Sequence, residues 1–224
     1  MINKIKTWWG SLSLPQKLWV TLAPITIFIL DYLCGDDPIN IAISTIGILY
    51  VAIYTTGTKY NFLLAIVYVS LYSIVCWQNK VYGDVYMNVA LIPMYIYSFV
   101  YWGKHQVTPH NVDTKTNLLF AGLTAFIAIL LNYCLIALGG NYTIYDAANT
   151  ACTLTAMAFG IFGISSAWIY WTINNIISLW IWIQALNTAT GSIAVFLMKA
   201  VFLVNGIIGL INFNHLGKAH KQLD

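Results

Sequence analysis

The stretch 168–184, "WIYWTINNIISLWIWIQ", sets indoles, amides and hydroxyls in a run otherwise apolar enough for a lipid bilayer. A bilayer core offers a lone amide no partner, and leaving one unsatisfied costs on the order of several kcal/mol. Read as a helix at about 100° per residue, Trp168, Trp171, Thr172, Asn175, Ser178 and Trp182 fall in one sector roughly 120° wide. Ile173, Ile176, Ile177 and Ile181 point in other directions. Such a stripe suits a ligand with a flat ring and a polar body. Indoles supply stacking area, or a cation–π surface for a charged ring, while amides and hydroxyls fix ribose or base edges by directional hydrogen bonds. The competing use is interhelical glue, with Trp168 and Trp182 serving as interface belts near the ends.

A second surface of this kind lies in "VYGDVYMNVALIPMYIYSFVYW". Asp84, Asn88, Tyr95, Ser98 and Trp102 lie on one side, and Tyr82, Tyr86, Pro93 and Tyr97 on another. Both sides are expected to face protein or a cavity, and Pro93 removes a backbone bond that favours a kink. Gln78, beside Trp77 and Asn79, marks the outer rim of the preceding span. Lys199, in "AVFLMKAVFLVNG", sits about eight residues or roughly 12 Å into its span. A buried ammonium at that depth needs a partner or hydration, so Lys199 is expected to face the central cavity or to pair with Asp84 or Asp146. The candidate substrate-binding set is therefore Trp171, Asn175, Asn88, Trp168, Thr172, Ser178, Trp182, Tyr95, Gln78, Tyr86 and Lys199.

Other chemistry finds little footing. His105, His110, His215 and His220 fall in loops or the tail, without the i,i+3 or i,i+4 spacing of a helical metal site. Cys34, Cys76, Cys134 and Cys152 are scattered with no C-x-x-C pair and read as small apolar packing residues. No metal site, cofactor, paired-acid site or Ser-His-Asp set is expected, so the chain is not expected to be an enzyme.

The elements that must position the stripe are membrane spans. Of 224 residues, 60% are hydrophobic and only 8% charged, with a mean hydropathy of +0.75. That composition defines an all-α polytopic membrane protein. The net charge of +3 is too small for a nucleic-acid footprint. The N-terminal "MINKIKTWWGSLSLPQKLWV" has no uninterrupted apolar core leading to a cleavage site, so no removable signal peptide is expected. About eight stretches approach the roughly 20 residues a span needs: 18–33, 39–57, 60–78, 81–102, 117–138, 143–164, 167–186 and 191–213. The first is weakest, being short and carrying Pro24. With both termini cytoplasmic, Lys4, Lys6, Lys17, Lys59, Lys104, Lys115, Lys218 and Lys221 lie inside and only Lys80 outside, as the positive-inside rule asks.

Spans two to four and six to eight form triplets separated by span five, and each triplet opens with a short first connection, "TGTK" and "SS". This 3+1+3 order predicts two parallel repeats related by an axis along the membrane normal. The whole chain, 1–224, is expected to be a single transmembrane domain. It divides into an N-terminal segment with the first span (1–36), a first bundle (39–102), a linker helix (117–138), a second bundle (143–213) and a tail (214–224).

The stretch 81–102 resembles the signature of PnuC-type vitamin transporters, the nicotinamide riboside transporter family. That pattern, Y-G-D followed by Asn, Pro and Trp, is met by Tyr82, Gly83, Asp84, Asn88, Pro93 and Trp102. "WIYWTINNIIS" is similar to the family's penultimate span, with Trp171, Asn175 and Ser178 in matching places, and "AVFLVNGIIGLINF" is similar to its last. The resemblance covers roughly residues 40–215. It implies a SWEET-like core of two three-helix bundles and a linker, with the extra N-terminal span outside. It further implies facilitated diffusion of a vitamin, trapping by cytosolic phosphorylation, and homo-oligomers, commonly trimers. Three positions depart: Tyr95 stands where the family has glutamine, Ser98 where glycine is usual, and Lys199 near a usual tyrosine. A buried cation there disfavours cationic ligands such as nicotinamide riboside or thiamine, unless an aspartate neutralises it.

The expected function is thus facilitated uptake of a heteroaromatic vitamin or nucleoside, foremost nicotinamide riboside, mid-membrane between two bundles. Thiamine, riboflavin or a deoxynucleoside are the alternative cargoes on the same fold. An integral membrane enzyme or a channel is the alternative class.

Overall fold

The computed structural model describes residues 2–56, 58–105 and 107–220, with side chains described between 7 and 211. Its elements follow local chain chemistry. A short α1 (Ile2–Ser11) precedes α2 (Leu14–Leu33). The α2 start is a capping box, with Gln16 N donating to Ser13 Oγ at 3.4 Å and Ser13 N donating to Gln16 Oε1 at 3.0 Å. This S-x-x-Q signal, with Pro15 in the first turn, starts the helix four residues before the expected position 18. Asp37 caps α3 (Pro38–Tyr54), accepting from Ile39 N at 2.8 Å. Then come α4 (Asn61–Gln78), α5 (Tyr82–Lys104), α6 (Thr114–Ala137), α7 (Thr143–Phe162), α8 (Ala167–Ala185) and α9 (Ile193–His220). Asp113 caps α6 through Thr116 N, at 3.3 Å.

Helices α2 to α9 correspond in order to the eight apolar stretches. By length and composition, α4, α5, α6 and the segment Ile193–Ile211 of α9 can each cross a bilayer, and α3 is apolar but 17 residues long. The apolar runs of α7 and α8 are interrupted by the amides and hydroxyls that concern the site. The chain is an all-helical, multi-pass membrane protein. Outward apolar side chains agree: on α6 only Thr124 and Leu135 are buried, while Leu118, Leu119, Phe126 and Tyr133 are exposed.

Six helices close a ring. α3 packs on α4 and α4 on α5; α7 packs on α8 and α8 on α9; α5 against α7 and α3 against α9 join the two groups. α6 lies against α7 outside the ring, and α2 against α3 and α9. One α5 expectation is corrected here. Asp84, Asn88, Tyr95 and Ser98 are buried, but Tyr86 and Tyr97 are about half exposed on the outer surface. At Tyr86 and Tyr97 that side turns outward, since an aromatic row is also compatible with lipid and its interface, while Tyr82 packs on Trp77 with ring centroids 5.2 Å apart.

Loops tie the two ends of the ring. At one end, His110 N donates to Gly163 O (3.0 Å) and Ser165 N to His110 O (2.8 Å), stapling the α5–α6 loop onto the α7–α8 turn. Gly163 has φ +77°, and a Cβ there would lie 2.8 Å from Thr108 O, so glycine is required. At the other end, Thr190 Oγ1 donates to Asn79 Oδ1 (2.8 Å) and Asn141 Nδ2 to Asn79 O (3.0 Å). Nearby, Asp36 accepts from Ser192 Oγ (2.9 Å) and Ala194 N (2.8 Å), capping α9 from the α2–α3 loop. The side chains of Lys4, Lys6, His215, Lys218, His220 and Lys221 lie outside the described residues.

Candidate functional site

The ring encloses a cavity to which all six of its helices contribute. α8 supplies Trp168, Trp171, Asn174 and Asn175; α9 supplies Lys199, Phe202, Asn205 and Gly206; α5 supplies Met87, Leu91 and Tyr95. From α3 and α4 come Tyr50, Tyr54, Tyr68 and Tyr72, and from α7 Asn149 and Thr153. Its volume is about 70 Å³, against roughly 300–1,000 Å³ for pockets that take drug-sized ligands. The rings have closed in on one another, and a nucleoside-sized solute requires them to part.

Small residues on α9 seat the α8 stripe. A Cβ at Gly206 would lie 2.9 Å from Asn175 Nδ2, and the Trp168 ring covers Gly209. Asn175 Nδ2 uses that closeness to donate to Phe202 O at 2.9 Å. Asn175 is therefore both interhelical glue and cavity wall. Trp168 packs on Tyr54 (ring centroids 5.8 Å apart), which stacks near Trp102 (6.5 Å). Trp102 is fixed in turn by its Nε1 donating to Ile161 O at 3.1 Å.

The opposite part of the cavity is a tyrosine stack. Tyr68 lies between Tyr50 (5.8 Å) and Tyr72 (5.4 Å), and Tyr50 Oη meets Tyr95 Oη at 3.3 Å. Over it sits Lys199, its Nζ 4.1 Å from the Tyr72 ring centre, 5.5 Å from that of Phe202, and donating to Tyr68 Oη at 3.5 Å. Tyr72 is anchored from behind: Trp182 Nε1 donates to its hydroxyl (2.7 Å), which donates to Asp84 Oδ2 (3.1 Å). Asn149 Nδ2 donates to Asp84 Oδ1 (2.6 Å), and Asn174 Nδ2 to Asn149 Oδ1 (2.7 Å). A polar chain thus runs from α4 and α5 through α7 to α8. Asp146 takes Gly83 N (2.6 Å) and Asp84 N (2.9 Å), capping α5.

Two buried polar atoms on the cavity wall lack a protein partner: Trp171 Nε1, a donor, and Asn205 Oδ1, an acceptor. Buried polar atoms are ordinarily paired, so these two are an unsatisfied donor and an unsatisfied acceptor on residues that line the cavity.

The candidates read from sequence divide as follows. Trp168, Trp171, Asn175, Tyr95 and Lys199 line the cavity. Thr172 returns its hydroxyl to Trp168 O at 2.8 Å and packs beneath Gly206. Trp182, Ser178 and Asn88 are buried just behind the wall; Trp182 positions Tyr72, and Asn88 lies one step round from the Met87–Leu91–Tyr95 row. Tyr86 and Gln78 do not line this cavity. Tyr86 lies roughly 140° around α5 from that row and is 53% exposed, while Gln78 is exposed at the α4 terminus. Lys199 contacts neutral rings and a phenol rather than an aspartate, since Asp84 and Asp146 are held by other donors. Sequence reasoning missed Asn174, Asn205, Thr153 and the α3–α4 tyrosines. Asn174 was visible beside Asn175, and Asn205 as the amide preceding the Gly206–Gly209 pair.

An all-helical polytopic membrane protein with a closed cavity of aromatic rings and amides at the centre of a six-helix ring is the class that fold and site define. Residues 37–215 match the family model described as nicotinamide mononucleotide transporter. The chain belongs to that family. Nicotinamide riboside transporter PnuC of Neisseria mucosa is 25% identical over 188 residues, covering 78% of this chain and 71% of that protein. Its namesake from Haemophilus influenzae is 25% identical over 183 residues, 77% of each. A crystal structure of the vitamin B3 transporter PnuC shares the fold with a TM-score of 0.84 and 22% identity, over 96% of this chain and 98% of that one.

Proposed function

We propose that this chain mediates facilitated uptake of nicotinamide riboside, bound in the central cavity and trapped afterwards by cytosolic phosphorylation. The observation that carries it is the unpaired Trp171 Nε1 and Asn205 Oδ1 on a wall of indole and phenol rings. One donor and one acceptor suit ribose hydroxyls, and the rings suit a flat heterocycle. The substrate for which both PnuC relatives are named points the same way. The protein acts as a carrier and not an enzyme. Both termini are cytoplasmic, the eight helices span the membrane as one outer helix plus a 3+1+3 parallel repeat, and protomers associate as homo-oligomers.

The test is uptake of labelled nicotinamide riboside into proteoliposomes. Saturable entry without a proton or sodium gradient is expected, competed by unlabelled riboside more strongly than by thiamine, riboflavin or a deoxynucleoside. Strict dependence on an imposed gradient would falsify the facilitator mechanism, and absence of riboside entry would refute the substrate.

A further inference from the structure

Lys199 is the one cation among the described cavity-lining residues, and its surroundings define a second end of the site. The residue is 7% exposed, and from α9 it lines the same cavity as Trp171 and Asn175 of α8. An ammonium has three donors. The hydrogen bond at Lys199 is a single long one, 3.5 Å, to Tyr68 Oη. Its other neighbours are the faces of Tyr72 and Phe202. The nearest carboxylate along this chain of contacts, Asp84, stands behind the Tyr72 hydroxyl and is already engaged by Tyr72 and Asn149. The wall therefore presents a buried cation in direct contact with neutral groups only, with the Asp84 carboxylate beyond the Tyr72 ring and donors left for something in the cavity.

From this geometry we infer that Lys199 is a specificity-determining residue that selects heterocyclic ribosides carrying a carboxylate on the ring. The inference rests on the uptake reading above and refines its substrate class. With the ribose at the Trp171–Asn205 end, a ring substituent reaches the Lys199 end, where a carboxylate accepts a charge-assisted bond that a carboxamide oxygen makes more weakly. A phosphate fits less well. It carries nearly two charges, Lys199 is unassisted by any arginine in the sequence, and the Asp84 side chain lies one ring away. A positively charged ring also gains from its own carboxylate here, because the pair of opposite charges meets Lys199 as a near-neutral whole.

The experiment is titration calorimetry on the purified full chain with three ligands: nicotinamide riboside, the same riboside with a carboxylate in place of the carboxamide, and nicotinamide mononucleotide. The unmodified protein should bind the carboxylate riboside at least about tenfold more tightly than the carboxamide. Lys199→Gln should abolish that preference, and Lys199→Arg should retain it. Equal or tighter binding of the carboxamide by the unmodified protein overturns the inference and leaves the uptake reading standing. Tightest binding of the mononucleotide overturns it in favour of a phosphate site, and equal loss for both ribosides in Lys199→Gln assigns the lysine a structural role. Binding of neither riboside removes the uptake reading and this inference with it. The ligand comparison on unmodified protein decides the matter even where Lys199→Gln does not fold.

Discussion

Gly83 is the second residue of α5, and a Cβ built on it would lie 2.6–2.8 Å from the three atoms of the Asp146 carboxyl group. That carboxyl is fully buried and holds two backbone amides, Gly83 N and Asp84 N. Asp146 is a short side chain with no far end to swing aside. Gly83→Ala must therefore displace it and strand both amides, at about 1–3 kcal/mol each. Alanine's advantage over glycine in a helix returns at most about 1 kcal/mol. The net expectation is a loss of about 3 kcal/mol, or roughly 6–12 °C in the midpoint for a chain of this size. Gly122, mid-α6, is the control, because nothing lies within 4 Å of a Cβ there. Gly122→Ala should stabilise by about 0.5–1 kcal/mol. Thermal unfolding of the three purified proteins in one detergent reads both. Introducing Gly83→Ala into an Asp146→Ala background should then cost almost nothing more, since the obstructing group has gone. A Gly83→Ala protein as stable as its parent, or moving in the same direction as Gly122→Ala, would refute the assignment of Asp146 as the α5 cap.

Trp171→Phe keeps a ring and removes the unpaired donor; riboside affinity should fall by about tenfold, with unfolding unchanged, as measured by uptake competition and thermal shift. Gly206→Ala sets a methyl 2.9 Å from Asn175 Nδ2, so it should weaken the bond to Phe202 O, destabilise by about 1 kcal/mol and raise the half-saturating riboside concentration. Asp36, in the α2–α3 loop, is raised by burial but lowered more by its bonds to Ala194, Asn40, Ser192 and Asp37, leaving its carboxyl below the ordinary 3.8. A depressed folded-state value means that this clasp is fully present above 3.8 and is lost as pH falls through the lower value. Midpoints recorded from pH 6 down to pH 2 should therefore show an acid loss that Asp36→Asn removes.

The helices and the α8 stripe were legible because helical periodicity and apolar length need only local sequence. The 120° sector from Trp168 to Trp182 picked the helix whose first half lines the cavity. What the stripe could not say is where along its length the cavity ends: Trp171 and Asn175 line it, whereas Ser178 and Trp182 sit behind the wall. That boundary is set by Tyr72 and Asp84, which reach across from α4 and α5. The tyrosines of α3 and α4 were invisible for a related reason. An aromatic residue in a membrane helix reads alike whether it meets lipid, as Tyr86 and Tyr97 do, or a ligand space, as Tyr50 and Tyr68 do. Lys199 stood out by burial cost alone, but its neighbours belong to long-range packing and could not be named.

The paired grip of Asp146 on the first amides of α5, together with Asn149 reaching Asp84 one turn further along α7, has a mechanical meaning. It welds the leading turns of α5 and α7 into one corner, so these two helix starts travel as a single piece. For the tyrosines to part and admit a solute while that corner holds, the far ends of the same helices would have to separate, which breaks the bond from Trp102 Nε1 to Ile161 O. There Trp102, Tyr54 and Trp168 meet beneath a loop held by two backbone bonds.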